Sequence, residues 1–396
     1  MISLEMIYDA KRVLQDVART TPLSPAPKIG DGVYIKSENL QLTGSFKLRG
    51  AYYKIHSLTA EEKSKGVIAC SAGNHAQGVA LSATMSGIKS IICMPAGAPL
   101  AKVEATKGYG AEVVLVPGVY DDAYAKAVEL TKEHGYTFAH PFNDERVIAG
   151  QGTIGLEILY QLPDVDTVVV PIGGGGLISG VAYAIKAIKP DCKVIGVQAA
   201  GAPSMYVSRK NGEPTELASV STIADGIAVK KPGDLTFEIC SKYVDEIVTV
   251  TEDEIASAIL SLMENQKTVS EGAGAVSVAA VMFGKVPTKG KKTVCVVSGG
   301  NIDVTMLSRI ITKGLSKSGR TCEITTKVVD KPGQLINLLQ IVSETGANIV
   351  RVNHSREAKL SDITNCVVTM VLETRNREHV EQIENALTAK GYELIK

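Results

Sequence analysis

Short runs of β-branched residues alternate with helical patterns from Gly66 onward, and this alternation restricts the fold more than any other feature of the chain. A run at 67–70 precedes a helical pattern over 75–85, and a run at 167–170 precedes one over 177–188. Strands that alternate with helices of this length predict parallel sheets wrapped by helices. The runs are almost continuously apolar, as expected where both faces of a sheet are covered. This part of the chain therefore predicts an α/β fold. Further strands are predicted at 32–37, 90–94, 112–116, 193–197 and 293–297.

The pattern changes after Lys313. A small polar stretch, residues 316–320, predicts a linker. Residues 321–396 predict the order strand, helix, strand, strand, helix, with a last strand at 392–395. Such a split βαβ unit is typical of a separate ferredoxin-like (βαββαβ) domain. We therefore expect a first domain over 1–315, the linker, and a second domain over 321–396.

Composition restricts the partners of the chain. Its 396 residues are 45% apolar and 21% charged, and the formal net charge is zero, so no electrostatic argument favours nucleic acid or a membrane surface. The apolar run at 273–283 is too short to span a bilayer, and the N-terminus lacks the plan of a signal peptide. Seven scattered cysteines predict reduced thiols of a cytoplasmic protein. The dispersed histidines predict no zinc site.

Three polar or glycine-rich segments each follow a predicted strand directly. In open parallel sheets ligands bind at the carboxyl ends of the strands, so these segments are candidates for one common site. Taken alone, each also has a structural explanation as a helix cap or a turn. The segments are Ser71-Ala72-Gly73-Asn74-His75, Gly173-Gly174-Gly175-Gly176 and Ser298-Gly299-Gly300-Asn301.

The glycine segment favours a single phosphate group over a dinucleotide. Backbone N–H groups at a glycine turn before a helix are free to point at an anion. A dinucleotide fingerprint would read G-x-G-x-x-G, but Gly174 and Gly176 are followed by Ser179. The next predicted strand also ends near Gln198 instead of an acidic residue. A purely structural turn remains the alternative.

Lys47 is the candidate nucleophile. It lies near the start of a predicted helix, where apolar neighbours and the positive end of the helix dipole both disfavour an ammonium group. A lysine driven towards neutrality captures carbonyl compounds, including pyridoxal phosphate. The alternative is an ordinary solvated lysine on a surface turn.

These motifs together resemble those of the threonine dehydratases (threonine ammonia-lyases), within the tryptophan-synthase-β-like group of pyridoxal phosphate enzymes. The resemblance covers about residues 1–314 in motif order and spacing, and it implies a fold-type II enzyme with a smaller subdomain, about 45–148, inserted in a larger one. Residues 321–396 resemble an ACT domain, including the turn Asp330-Lys331-Pro332-Gly333. The matched motifs are Ser45-Phe46-Lys47-Leu48-Arg49-Gly50, Ser71 to Gly78, the glycine tetrad with Leu177, and Ser298-Gly299-Gly300-Asn301.

The resemblance implies pyridoxal phosphate as the cofactor and indicates its contacts. Lys47 is expected to be the Schiff-base lysine, and Phe46 to lie against the cofactor ring. Asn74 is expected to hydrogen-bond the 3′-oxygen, and Ser298 to face the pyridine nitrogen. The phosphate is expected to be held by backbone donors of Gly173, Gly174, Gly175, Gly176 and Leu177. The substrate carboxylate is expected to be bound by the loop of Ser71, Ala72, Gly73 and His75.

The implied reaction is deamination of L-threonine by β-elimination, with L-serine as a further substrate. The nearest alternative is a serine racemase or serine dehydratase, which shares these motifs. A racemase of this group uses a serine as the second base, and Ala72 stands at that position here. Gln198 and Ser204 replace the acidic ligands of the racemase cation site, so we expect no metal. A non-catalytic amino-acid sensor is a further alternative.

The ACT resemblance implies an amino-acid effector and a homo-oligomer, either a dimer or a tetramer. Gly333, Gln334, Leu335 and Asn348 are the candidate effector-binding residues. The alternative is that this domain only stabilises the oligomer. Glu271 lies in a family motif near the site, and the sequence assigns no chemical role to it.

Overall fold

The computed structural model describes residues 2–357 and 363–395, which form two compact units, Met1–Asp303 and Val304–Lys396. The strands of the first unit are β1 (Leu23–Pro25), β2 (Val33–Ser37), β3 (Val67–Cys70), β4 (Ser90–Pro95), β5 (Glu112–Val116), β6 (Thr137–Phe138), β7 (Thr167–Pro171), β8 (Lys193–Ala199), β9 (Glu246–Val250) and β10 (Thr293–Val297). Its helices are α1 (Leu4–Leu14), α2 (Lys47–His56), α3 (Ala60–Lys65), α4 (Asn74–Met85), α5 (Leu100–Gly108), α6 (Tyr120–His134), α7 (Glu145–Gln161), α8 (Gly176–Ile188), α9 (Ser204–Asn211), α10 (Asp234–Tyr243), α11 (Glu252–Gln266) and α12 (Gly272–Met282).

The larger sheet of the first unit has the strand order β1-β2-β10-β7-β8-β9. Only the short edge strand β1 is antiparallel to its neighbour, and every other pairing is parallel. All residues of β7 and β10 are buried, because helices cover both faces of the sheet. Apolar residues of α7 and α8 pack against these central strands and form the main core.

The smaller sheet has the order β5-β4-β3-β6 and is parallel throughout. Helices α2 and α4 pack on one side of it through small residues, and α6 covers the other. The prediction of parallel sheets wrapped by helices is therefore confirmed for both sheets. Among the described residues, no helix combines the length and the apolar character needed to cross a bilayer.

Helix α2, which begins with Lys47, packs closely against α7 and α4. A Cβ atom at Gly50 would lie 2.4 Å from Gln151 Nε2 on α7, and one at Gly78 of α4 would lie 3.1 Å from the Lys47 carbonyl carbon. Glycine at both positions thus permits close backbone approach on two sides of α2. The same helix carries Arg49, whose buried guanidinium donates to Glu38 at 2.8 Å and to Glu157 at 2.6 Å.

The second unit contains α13 (Val304–Lys317), β11 (Thr321–Val329), α14 (Gln334–Glu344), β12 (Asn348–Ser355), β13 (Asn365–Glu373), α15 (Arg377–Ala389) and β14 (Leu394–Ile395). After α13 the element order is βαββαβ, and the antiparallel sheet has the strand order β12-β13-β11-β14. The apolar faces of α14 and α15 pack on one side of this sheet. The linker prediction differs from the structure, because residues 316 and 317 form the end of α13. The ACT resemblance of this unit stays a prediction.

Candidate active site

Lys47 is the first residue of α2, and its Nζ donates a 2.8 Å hydrogen bond to the Pro141 carbonyl oxygen. The same nitrogen lies 5.3 Å from the centre of the Phe46 ring. Burial lowers the pKa of Lys47 to about 8, and the negative charge of Glu271 opposes that shift. The uncharged fraction of this amine near neutral pH is therefore larger than that of a solvated lysine, which is the direction expected from the sequence.

The loop after β10 meets the segment that carries Lys47. The Phe46 N–H donates a 3.1 Å hydrogen bond to the Ser298 carbonyl oxygen, and Ser45 forms an isolated antiparallel bridge with Gly299. Ser298 is buried, and its hydroxyl donates a long 3.4 Å hydrogen bond to the Ala273 carbonyl oxygen. The segment that carries Lys47 and the loop Ser298-Gly299-Gly300-Asn301 are thus joined through the backbone.

Asn74 connects the loop after β3 to the same place. Its Nδ2 donates a 2.6 Å hydrogen bond to Glu271 Oε1, and its Oδ1 accepts one of 2.7 Å from Asn301 Nδ2. Asn301 also donates to the Thr43 carbonyl oxygen at 2.8 Å. Both ends of the Asn74 amide are therefore held, which defines the orientation of this side chain.

Glu271 is a buried carboxyl whose importance the sequence did not reveal. Burial raises its pKa to about 7, the nearby Asp225 adds to the shift, and the Asn74 hydrogen bond opposes it. The backbone of Gly299 lies close to this carboxyl group, since a Cβ atom at Gly299 would be 2.3 Å from Glu271 Oε1. The only sequence signal was the position of Glu271 in the segment Glu271-Gly272-Ala273-Gly274.

The glycine tetrad lies between β7 and α8. Gly175 has φ +98°, and a Cβ atom at Gly174 would lie 2.5 Å from atoms of the Phe142 ring, so both positions require glycine. Among the hydrogen bonds of the described residues, the N–H groups of Gly173, Gly174 and Gly175 have no protein acceptor. These donors lie at the N-terminus of a helix of 13 residues, an arrangement suited to an anion.

Residues 140–143 connect the tetrad to Lys47, and sequence reasoning missed them. Pro141 accepts the Lys47 hydrogen bond, while the next residue, Phe142, packs against Gly174. His140 Nδ1 accepts hydrogen bonds from the N–H groups of Phe142 at 3.2 Å and Asn143 at 2.8 Å, which stabilises the turn. This segment follows the two-residue strand β6, too short to give a periodic pattern.

Ser71, Ala72 and Gly73 precede α4, and His75 is the second residue of that helix. A Cβ atom at Gly73 would meet nothing within 4 Å, so its backbone borders open space. His75 is buried, and its Nε2 hydrogen-bonds with the Ala139 carbonyl at 2.8 Å. Burial, assisted by the charge of Lys47, lowers the pKa of His75 to about 3. This histidine is therefore a neutral packing residue and cannot serve as a proton donor at neutral pH.

Gln198 stands at a position where a serine racemase of this group would have an acidic ligand for a cation. Its Oε1 accepts a 2.8 Å hydrogen bond from the Tyr206 N–H, and its Nε2 donates to the Ile172 carbonyl oxygen at 3.3 Å. Ser204, the second such position, is buried, and its hydroxyl has no hydrogen-bond partner among the described residues. The absence of a cation site here stays a prediction.

The four candidate effector residues all lie in the second unit, but they are not brought together within one chain. Gly333 precedes α14 with φ +85°, and Gln334 and Leu335 begin that helix. Asn348 pairs with Glu373 at the far end of β13, whereas the β11–α14 turn follows the end at which Val329 pairs with Asn365. The first three residues therefore lie at one end of the sheet and Asn348 lies at the other.

The donor set of the first unit fits pyridoxal phosphate. A buried amine of lowered pKa can bond to the cofactor aldehyde, and the unpaired N–H groups before α8 can bind its phosphate. The hydroxyl of Ser298 and the amide of Asn74 supply neutral polar groups for a ring that carries a nitrogen and an oxygen. The second unit offers no comparable buried lysine in its described residues.

Comparison with known proteins agrees with this geometry. The L-threonine ammonia-lyase of Thermotoga maritima is 55% identical over 398 residues, which cover 100% of this chain and 99% of that protein. The L-threonine ammonia-lyase of Geobacter sulfurreducens is 46% identical over 396 residues, or 99% of this chain and 98% of that protein.

Solved structures show the same fold. The processed form of threonine deaminase isoform 2 from Solanum lycopersicum has a TM-score of 0.75 at 40% identity. The match covers 79% of this chain and 88% of the tomato chain. Maize serine racemase has a TM-score of 0.75 at 35% identity. The match covers 80% of this chain and 98% of the maize chain. The family described as "Pyridoxal-phosphate dependent enzyme" matches residues 14–299. The chain belongs to this family of pyridoxal-phosphate dependent enzymes.

Proposed function

We propose that this chain is a threonine ammonia-lyase, which converts L-threonine to 2-oxobutanoate and ammonia by β-elimination, and L-serine to pyruvate. The proposal rests on one observation: Lys47, Asn74 and Ser298 lie around one site in the first unit. Two relatives named L-threonine ammonia-lyase, 55% and 46% identical over nearly the whole chain, support the choice of substrate.

Lys47 is the residue that bonds to the cofactor and moves the proton at the substrate Cα. Pyridoxal phosphate, when bound, withdraws electrons from Cα and so permits loss of that proton. An amine whose pKa is about 8 can accept this proton near neutral pH and return it later. The hydrogen bond from Lys47 Nζ to the Pro141 oxygen orients the free amine before the cofactor attaches.

The other contacts hold the cofactor in place. Phe46 would lie against its ring, Asn74 would donate to its 3′-oxygen, and Ser298 would face its pyridine nitrogen. The Ser298 hydroxyl carries no negative charge, so it would stabilise a protonated pyridine less than a carboxylate would. That favours a reaction in which a leaving group departs with the electrons, such as loss of the threonine β-hydroxyl. The phosphate donors are Gly173, Gly174, Gly175, Gly176 and Leu177.

The substrate carboxylate is bound by backbone N–H groups of the loop Ser71, Ala72, Gly73 and His75. The open space beside Gly73 allows a ligand to approach this backbone closely. Ala72 has no exchangeable proton, so one face of the substrate lacks a second base. This difference supports elimination over racemisation.

The second unit acts as an ACT regulatory domain of a homo-oligomer. Gly333, Gln334 and Leu335 lie at the opposite end of the sheet from Asn348, so one effector could contact all four only if two chains contribute. Regulation would then be coupled to association of the subunits.

A coupled 2-oxoacid assay on the purified chain tests the proposal. L-Threonine and L-serine are offered separately, with and without isoleucine and valine. We expect 2-oxobutanoate from threonine, and inhibition by isoleucine would assign a feedback role to the second unit. Absence of oxoacid from both substrates, in protein whose absorbance shows bound cofactor, would refute the lyase assignment.

Serine racemase is the second candidate function. It is favoured by the likeness to maize serine racemase at a TM-score of 0.75 and 35% identity. Chiral chromatography of the serine reaction separates the two functions. Formation of D-serine at a rate near that of pyruvate would favour the racemase, whereas pyruvate alone is expected.

A further inference from the structure

Three side chains of different chemistry meet at one end of the sheet of the second unit. One ligand atom from each of Asp330, His354 and Cys366 lies within 4.8 Å of the other two. A carboxylate oxygen, an imidazole nitrogen and a sulfur atom are the ligand types that zinc takes in proteins. We propose that Asp330, His354 and Cys366 form a binding site for a divalent transition-metal ion, with Zn²⁺ as the occupant.

The strand register explains why these residues meet. Cys366 on β13 pairs with Val328 on β11, and Asp330 follows Val328 by two residues. His354 on β12 pairs with Val368, which lies two residues from Cys366 on the same strand. Because side chains alternate between the faces of a sheet, positions two apart share a face. Strands β12 and β13 and the residue directly after β11 thus contribute one ligand each at the same face.

The surroundings of the triad are suited to an ion that enters from solvent. Asp330, His354 and Cys366 all line a cavity of about 460 Å³. Cys366 is buried at 2% exposure, whereas Asp330 and His354 are exposed. The cysteine is therefore a rigid anchor, and the other two ligands can close on an incoming ion. Three protein ligands leave a fourth coordination position, which faces the cavity and can hold a water molecule.

Only small side-chain movements are needed to reach metal-ligand geometry. Ligand atoms bound to one tetrahedral zinc ion at about 2.0–2.3 Å lie roughly 3.5 Å apart. The observed limit of 4.8 Å therefore requires adjustments on the order of 1 Å. His354 is exposed, and Asp330 lies in a turn, so both can move by this amount.

Arg356 supports the carboxylate ligand. Its Nε donates to Asp330 Oδ2 at 2.7 Å, and one of its terminal nitrogens donates to Oδ1 at 3.0 Å. A carboxylate has about four lone-pair positions, so these two hydrogen bonds leave room for a metal bond. Metal-bound carboxylates are commonly hydrogen-bonded in this way, which orients them towards the ion.

Binding of the ion exchanges one proton for one metal–sulfur bond. In the structure the Cys366 Sγ donates a 3.2 Å hydrogen bond to the Val328 carbonyl oxygen. On binding, the thiol loses its proton to solvent, and the resulting thiolate bonds to the ion without any change of oxidation state. The site therefore departs from the expectation of no zinc site, which rested on the dispersed histidines, because its ligands are far apart in the chain and are brought together by the sheet.

Cobalt substitution in the cofactor-loaded full chain provides the test. Protein dialysed against a chelator is titrated with Co²⁺, and the visible d–d bands are followed at wavelengths longer than those absorbed by the cofactor. We expect intense tetrahedral bands that saturate at one Co²⁺ per chain and disappear when Zn²⁺ is added. The bands should weaken when the pH is lowered, because the thiolate takes up a proton.

Variants separate this site from other thiols and from the cofactor. C366S and H354A should each weaken Zn²⁺ binding by more than 100-fold, and R356Q, which removes a supporting hydrogen bond, by about 10–100-fold. C322S is the matched control, because Cys322 is a half-buried cysteine of the same unit outside the triad, and it should bind as the unchanged protein does. His354 is exposed, so H354A should fold normally, as circular dichroism can verify. Absence of tetrahedral bands, or equal affinity in folded H354A, would overturn the proposal.

Discussion

Asn74 Nδ2 donates a 2.6 Å hydrogen bond to Glu271 Oε1, and this pair joins the loop after β3 to the start of α12. Glu271 is buried with a pKa of about 7, so its charge changes within the physiological range. The orientation of Asn74, and with it the proposed contact to the cofactor 3′-oxygen, therefore depends on this carboxyl group.

Replacing Glu271 distinguishes its hydrogen bond from its charge. E271Q keeps an oxygen that can accept from Asn74, so we expect it to retain cofactor binding, with a changed pH profile of kcat. E271A leaves the Asn74 amide without this acceptor, and we expect a loss of about 10-fold or more in cofactor affinity, on the order of 1–2 kcal/mol for a lost hydrogen bond. Cofactor affinity is measured by fluorescence titration of the apoprotein. Equal affinities in E271A and the unchanged chain would contradict this role.

The raised pKa of Glu271 also affects stability. In the unfolded chain the carboxyl has its ordinary pKa of 4.5, and in the folded chain the value is about 7. The folded state therefore holds the proton more tightly, so its contribution to stability is complete below pH 4.5 and is lost as the pH rises through 7. Urea unfolding of the apoprotein at several pH values should show this decline, and E271Q should reduce its slope. An identical slope in E271Q would exclude Glu271 as its source.

Lys47 should titrate during attachment of the cofactor. Its pKa is lowered from 10.5 to about 8, so the uncharged amine needed for attack on the aldehyde increases as the pH rises through 8. The rate constant for cofactor binding to the apoprotein, followed by absorbance, should therefore rise and level off above this pH. A rise centred near 10.5 instead would indicate a fully solvated lysine.

Removal of the Lys47 amine should abolish turnover. K47A is expected to lower the rate of oxoacid formation by at least about 1,000-fold, because no other amine replaces the base. Cofactor should still bind non-covalently through the glycine turn, with the absorbance of the free aldehyde. K54A is a useful control, because Lys54 lies on the same helix and pairs with Asp144 at 2.6 Å. Retained turnover in K47A would refute the assignment.

A methyl group at Gly174 should disturb the glycine turn. Its Cβ atom would lie 2.5 Å from the Phe142 ring, so either the ring or the turn must move. Overpacking of this kind costs about 1–3 kcal/mol, and we expect G174A to weaken both stability and cofactor binding. G108A is the matched control, because a Cβ atom at Gly108 would meet nothing within 4 Å. Similar thermal stability and cofactor affinity in both variants would count against a tight turn.

The stability of the chain should depend on the buried ion pairs that Arg49 of α2 forms with Glu38 and Glu157. R49M removes the guanidinium and leaves Glu38 and Glu157 without their main partner, which we expect to cost about 3–5 kcal/mol of unfolding free energy. K65A breaks the exposed pair with Glu61 and should change stability by less than about 1 kcal/mol. Denaturant unfolding of both variants measures the difference. Equal losses of unfolding free energy in R49M and K65A would contradict a special contribution of these buried ion pairs to stability.

The sequence by itself determined the parallel sheets, because fully buried strands such as β7 and β10 consist mostly of β-branched residues. It also located three of the segments that meet at the site, since glycine and polar residues directly after a strand have a local signature. Lys47 was identifiable from its place at a predicted helix start among apolar neighbours, although burial is the cause of its lowered pKa in the structure.

Tertiary structure alone decided which side chains touch. Helix α12 is buried on all sides, so it lacks the apolar stripe that predicts a surface helix, and the sequence showed only an apolar run. Glu271 and Asn74 are 197 residues apart in the chain, and their hydrogen bond follows from packing between elements. The same holds for Pro141 beside Lys47 and for the triad of Asp330, His354 and Cys366, whose members lie on or directly after neighbouring strands. Local sequence patterns predict single helices and strands and their buried faces. Contacts between distant segments depend on how these whole elements pack.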